Sequence, residues 1–269
     1  AGLSGDALKE ATRWTFIVAG ITSLLLSGFS LTLPHTPPRK ASEGAPEKLA
    51  WLEALRLLQQ PFVLVLWLVT FVDAVVLYSY FNWTGTFLGA AASGGGAGIP
   101  GNWIMPVMSI GQVAEILTMY ILGATLKRLG WRVTMIVGIL GHVLRFGVYA
   151  YFPQATWLIV VVQLIHGICY AFFFATVYIF ADTYFPKDVR ASAQGLFNVM
   201  ILGVGSLVAN TICPWLIQAV YTHDGVTRYQ SLFLLPCFVA LGAAVALALF
   251  FHPPKARETE PEPVAASAP

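Results

Sequence analysis

The chain has 269 residues, of which 57% are hydrophobic and only 10% charged, and its mean hydropathy is +0.73. A soluble domain carries roughly 25% charged residues, so the composition excludes a soluble globular protein and indicates an integral membrane protein. The net charge of +2 gives no case for a nucleic-acid partner. Cys169, Cys213 and Cys237 lie in apolar segments without CxxC or Cys/His spacing, which reads as structural thiols, with no metal and no disulfide framework.

Seven apolar spans follow along the chain, at about 14–33, 61–83, 102–126, 132–152, 155–181, 191–220 and 229–252. The opening Ala-Gly-Leu-Ser has no initiating methionine and no signal-peptide pattern, and reads as a fragment or processed chain that starts in a loop of a longer protein. Between the first two spans, residues 34–60 are the longest hydrophilic link, opening PHTPPRK and ending LAWLEALRLLQQ. The leucines of that end recur at helical spacing, as in a short amphipathic helix at the membrane surface or a frayed extension of the next span. Residues 253–269 are rich in Pro, Ala and Glu and are expected to be a disordered tail.

Lysines and arginines sort by loop. Arg39, Lys40, Lys48 and Arg56 fall in the first link, Lys127, Arg128 and Arg132 after the third span, Lys187 and Arg190 after the fifth, and Lys255 and Arg257 in the tail. The alternate links carry only Arg228. Positive residues stay on the cytoplasmic side, so the tail is expected inside, although Lys9 and Arg13 disagree mildly. Pro106, Pro214 and Pro236 fall inside spans and are possible kinks. Gly195, Gly203 and Gly205, with Ala191 and Ala193, would let helices approach closely.

Several polar residues stand inside these spans, where each is costly unless it meets a cavity, a partner or a proton. In the third span Gln112 and Glu115 are three residues apart and share a helix face. Glu115 is a candidate proton site or solute acceptor, or a buried acid paired to another helix; Gln112 would present its amide to the same ligand or bond a neighbouring helix. In the fifth span Gln163, His166 and Tyr170 make a polar stripe. His166 is a candidate proton shuttle and Tyr170, with Phe173 and Phe174, a stacking platform or simple packing. The second span offers Asp73 as a second acid, then Tyr78, Phe81, Asn82 and Trp83, with Trp83 expected in an interfacial aromatic belt. Arg145, one turn after His142, either balances Glu115 or Asp73 or snorkels to the outer surface.

No enzyme or cofactor is indicated. SGGGAGIPG lacks the Lys-Ser/Thr of a phosphate-binding loop, and neither GxSxG nor HExxH occurs.

Two cytoplasmic stretches resemble loop signatures of the major facilitator superfamily. Gly123-Ala-Thr-Leu-Lys127-Arg128-Leu129-Gly130-Trp131-Arg132 is similar to G-x-x-x-D-R-x-G-R/K, with Lys127 in place of the acid. Pro186-Lys-Asp-Val-Arg190-Ala-Ser-Ala-Gln-Gly195 is similar to a later signature ending R-A-x-A-x-G. With LTLPHTP at 31–37, SIGQVAE at 109–115, LRF at 144–146 and RASAQGLF at 190–197, nearly the whole chain resembles the bacterial nucleoside:proton symporters of that superfamily.

The resemblance implies an all-α membrane protein of seven transmembrane helices, the sixth helix plus the C-terminal six-helix bundle of a twelve-helix fold. Residues 1–33 would then be the last helix of a truncated N-terminal bundle, 34–60 the cytoplasmic linker, 61–252 the C-terminal bundle and 253–269 the cytoplasmic tail. It implies a solute site at Gln112, Glu115, His166, Tyr170, Tyr78 and Phe81 and gating motifs at Gly123, Arg128, Gly130, Arg132 and Arg190; proton coupling is expected at Glu115, with Asp73 and His166 as the groups that would stand in for the family's missing aspartate. The family's tyrosine, phenylalanine and aspartate on the fifth span line up with His166, Tyr170 and Ala171. The expected function is proton-coupled nucleoside uptake by alternating access in the bacterial inner membrane. Its partners would be a small solute, protons, the bilayer and the missing half. The alternatives are a carrier for a sugar, purine base, organic acid or drug, and, remotely, a seven-helix receptor or light-driven pump. Residues 229–252 have no lysine to hold retinal.

Overall fold

The computed structural model describes residues 6–34, 50–186 and 189–253. Most of the 34–60 link, Lys187 and nearly all of the expected tail therefore lie outside the described residues. The chain divides into two units, residues 1–48 and 49–269. The first holds α1 (Asp6–Ser30), on which Trp14, Phe16 and Leu24 are exposed.

The second unit begins with α2 (Ala50–Leu57), the short helix expected from the leucine spacing. α3 (Pro61–Gly89) opens on Pro61, whose missing N–H costs nothing in a first turn. It is apolar on every face and continues past Trp83 to Gly89. The spans expected at 102–126 and 132–152 form one 51-residue helical run, α4 (Gly101–Tyr151), with a kink at Gly130. There φ is 71° and ψ 174°, a conformation open to glycine and strained for any side chain.

The fifth span comprises α5 (Thr156–Val162), α6 (Ile165–Cys169), a π-helical turn at Tyr170–Ala175 and α7 (Thr176–Tyr184). The sixth comprises α8 (Arg190–Asn198), a π-helical turn at Val199–Val204, α9 (Gly205–Trp215) and a second such turn at Leu216–Val220. α10 (Tyr229–Phe250) closes the unit. Among the described residues six helical segments are long and apolar enough to cross a membrane, with Gly101–Tyr151 taken as one. Pro106, Pro214 and Pro236 stay within helices.

One sequence expectation needs correction, and one feature was not anticipated. In the link before α10, β1 (Thr222–His223) and β2 (Val226–Thr227) pair antiparallel around Asp224 and Gly225. Both turn residues have positive φ, 51° and 75°, as a two-residue type I′ hairpin requires. Trp83 is not in an interfacial belt. It is 2% exposed, its Nε1 donates to the Cys213 carbonyl at 3.1 Å, and its ring meets Phe233 edge-on.

Close helix approach positions the site. A Cβ on Gly167 of α6 would lie 2.5 Å from the Ala114 carbonyl oxygen, and one on Gly111 of α4 would lie 2.9 Å from the His166 Cβ. Only glycine fits at this α4–α6 seam, and the seam brings His166 onto Gln112. Of the sixth-span glycines, Gly205 makes such an approach, to Ala74, whereas Gly195 and Gly203 face open space. Cys169, Cys213 and Cys237 are free, buried thiols.

Candidate functional site

α3, α4 and α6 converge on the expected site. The Gln112 side-chain nitrogen lies 3.3 Å from His166 Nε2. The His166 ring stacks on Tyr80, with centroids 5.0 Å apart and planes at 29°, and meets the edge of Phe81 at 5.6 Å. Phe81 lies in turn beside Tyr78. Gln112 and Phe81 are exposed, whereas Tyr78, Glu115 and Tyr170 are half-buried. These residues therefore present an open polar and aromatic face. Glu115, one turn beyond Gln112, makes no hydrogen bond or ion pair among the described residues, so its carboxylate is not locked against a cation. The Tyr170 ring leans on Phe174 at 5.8 Å.

The polar stripe expected on the fifth span does not form one open face. At Gln163–Leu164, between α5 and α6, the backbone stays helical but tightens to i→i+3 hydrogen bonds. Gln163 turns fully inward: it accepts from Tyr80 Oη at 3.0 Å and donates to Tyr149 Oη at 2.8 Å. His166 is also buried, and Tyr170 alone of the three is half-open.

Behind the open face lies a second layer. Arg145 does not snorkel, being fully buried, and its hydrogen-bonding partners are histidines rather than carboxylates. Its Nη1 is 2.9 Å from His166 Nδ1 and its Nη2 is 2.8 Å from His142 Nδ1. Its guanidinium carbon lies 3.9 Å over the Tyr80 ring, a desolvated cation–π contact. Asp73 is fully buried beside His142, with Oδ2 3.7 Å from His142 Nε2 and neither carboxylate oxygen hydrogen-bonded. Asp73 and Glu115 thus belong to different layers.

The loop-motif residues separate by role. Gly123 and Arg128 are exposed, and Gly130 is the kink. Arg132 donates to the Ala248 carbonyl in the last turn of α10. Arg190 donates to the Phe185 carbonyl at the end of α7, at 3.3 and 3.4 Å, and pairs with Asp182 at 3.5 Å. Both arginines satisfy orphan carbonyls at the negative end of a helix. A separate cleft of about 360 Å³, lined by Asn82, Trp83, Thr86, Pro214 and Gln218 among others, includes none of the expected site residues.

Sequence reasoning missed Tyr80, Tyr149 and the part played by Arg145. The available signal was the His142/Arg145 pair, one turn apart in an apolar span.

The profile of the nucleoside H+ symporter family matches residues 3–256, nearly the whole chain. The chain belongs to the nucleoside H+ symporter family. Three relatives of this family from Escherichia coli (strain K12) are similar over about nine-tenths of the chain. The xanthosine permease is 28% identical over 251 residues, 90% of this chain and 58% of the relative. The putative nucleoside transporter YegT is 27% identical over 257 residues, 92% and 59% respectively. The nucleoside permease NupG is 26% identical over 250 residues, 90% and 58%. Two crystal structures of the nucleoside transporter NupG superpose with TM-scores of 0.71 and 0.66 at 26% identity. They cover 87% of this chain and 60% and 59% of theirs. The chain thus spans about three-fifths of the length of the relatives it matches. The family and the apolar helices together make it a multi-pass membrane protein.

Proposed function

We propose that the chain is part of a proton-coupled nucleoside uptake carrier that works by alternating access in the bacterial inner membrane. The observation that carries this reading is the open face on which an amide, Gln112, and an acid with no partner among the described residues, Glu115, stand one turn apart beside the exposed Phe81 ring, itself edge-on to the buried His166–Tyr80 stack. An exposed aromatic ring suits a flat base, and polar groups suit the hydroxyls and carbonyls of a nucleoside. Tyr170 and Tyr78 complete the wall. Glu115 takes the proton, with Asp73 and His166 as further protonatable groups in the same helices.

Counted as two rods broken at Gly130, α4 brings the spans to seven. Residues 61–252 then form one six-helix bundle of a two-bundle major-facilitator carrier, and residues 1–33 are the last helix of the other. Residues 34–60 are the link between them, and 253–269 a cytoplasmic tail. The two bundles rock about the site. Gly123, Arg128, Gly130, Arg132 and Arg190 form the cytoplasmic turns about which the bundle moves. Inward proton movement contributes about 2.3 kcal/mol per 100 mV, enough for modest accumulation.

Uptake of labelled uridine into vesicles holding the intact carrier, with and without an inward proton gradient, tests the reading. Gradient-driven accumulation is expected, and it should be lost in Glu115→Gln. Equal uptake with and without the gradient would overturn the coupling. One feature favours a different cargo within the same mechanism: Ala171 is fully buried in an apolar cluster where the resemblance places an aspartate. A competition panel of nucleosides, purine bases and sugars separates the two.

A further inference from the structure

Arg145 is a fully buried cation, and its partners constrain the chemistry around it. A guanidinium only donates hydrogen bonds. Its two contacts, at 2.9 Å to His166 Nδ1 and 2.8 Å to His142 Nδ1, therefore require a lone pair on each Nδ1. Each imidazole then carries its hydrogen on Nε2. For His142 that hydrogen points towards Asp73 Oδ2, 3.7 Å away. For His166 it points at the Gln112 amide, 3.3 Å away. An amide nitrogen in that position would set donor against donor. The two ends of an amide are nearly isosteric, and with the oxygen inward the contact becomes a hydrogen bond. The Gln112 NH2 then faces the open side, one turn from Glu115. Tyr80 stacked on one face of the His166 ring and Phe81 at its edge hold the ring in this orientation.

We infer that Arg145 is a positioning residue for solute recognition: by fixing the His166 tautomer it fixes which end of the Gln112 amide meets the solute. The site then offers a donor from Gln112 beside an acceptor from Glu115. That pair suits a solute with a carbonyl next to an N–H or hydroxyl group. What occupies the site rests on the carrier reading above; the tautomer does not.

The test has two arms, both on the intact carrier in lipid bilayers. The first is the 15N spectrum of labelled histidines, with His142 and His166 assigned by their asparagine variants. Both should show a protonated Nε2 and a bare Nδ1; a protonated Nδ1 at His166 in the unaltered protein overturns the inference, whatever the protein transports. The second is uridine binding in a double-mutant cycle of Arg145→Met and Gln112→Ala. Each single change should raise Kd about tenfold, the scale of one hydrogen bond to a buried polar group. The pair should do little more than either alone, because Arg145 acts through Gln112. Additive losses would show a merely structural arginine and overturn the inference. If uridine does not bind the unaltered protein, the nucleoside reading fails and the spectrum still decides the tautomer. Arg145→Lys keeps the charge, and a lysine bonded to His166 Nδ1 should restore the Nε2–H signal.

Discussion

The seam between α4 and α6 allows a prediction worked from distances alone. In Gly167→Ala the new Cβ would sit 2.5 Å from the Ala114 oxygen, 2.6 Å from the Ala114 carbonyl carbon and 2.6 Å from Thr118 Oγ1. Two of these are backbone atoms and cannot rotate away, while Thr118 Oγ1 is held by its own bond to the Ala114 oxygen at 2.8 Å. Reaching an ordinary contact of about 3.4 Å requires α4 to retreat by roughly 0.9 Å, a change well-packed interiors resist. A retreat of that size along the Gln112–His166 contact, now 3.3 Å, breaks it. The strain is about 1–3 kcal/mol, offset by up to about 1 kcal/mol from the better helix propensity of alanine. Thermal unfolding in detergent and uridine uptake in vesicles should therefore fall together. Gly147→Ala, at a helical glycine with nothing within 4 Å of its added Cβ, is the control, and should be neutral or slightly stabilising. A Gly167→Ala protein with unchanged melting temperature and uptake would refute the claim that this seam sets the site.

Two further predictions concern single bonds. Tyr80→Phe keeps the ring under Arg145 but strands the buried Gln163 Oε1; stability should drop by about 1–3 kcal/mol, read by thermal or denaturant unfolding. Arg190→Ala uncaps α7 at the Phe185 carbonyl and should cost about 0.3–1 kcal/mol. Asp182→Asn, which removes only a solvent-screened pair, should cost less when both variants are compared in the same unfolding assay.

The membrane class and most helix limits were legible because apolar runs of bilayer length have few other uses. Gln112 and Glu115 stood out for the same reason, as polar residues in an apolar run with a spacing that puts them on one face. Trp83 was misplaced because it stood at the expected end of its span, at residue 83, whereas α3 continues to Gly89 and so carries Trp83 into the bundle. Gly130 gave no sign of whether the basic turn would be a loop or a kink, since both use glycine. The hairpin was written only in Asp224-Gly225, a signal shorter than the helical spans around it. Arg145 was visible as an anomaly, but its choice of two imidazoles over Asp73 or Glu115 depends on which helices touch, and spacing within one helix does not carry that.

The two acids can be given separate roles from the chemistry of what lies between them. A proton moves along a hydrogen-bonded chain only if each member can accept one proton and release another. The imidazoles of His142 and His166 can do both, but the guanidinium joining them accepts none. Arg145 therefore interrupts any proton path from Asp73 through His142 to His166 and Gln112. On the carrier reading proposed above, Asp73 then acts on the open face through its position alone, and Glu115, half-buried and without a hydrogen bond or ion pair among the described residues, is the group proposed to take the proton. Asp73→Asn should thus weaken binding or stability yet keep the ratio of uptake with and without a proton gradient. Glu115→Gln should bring that ratio to one. The opposite pattern, gradient dependence lost in Asp73→Asn and kept in Glu115→Gln, would mean that protons pass this layer by a route that does not run through Arg145.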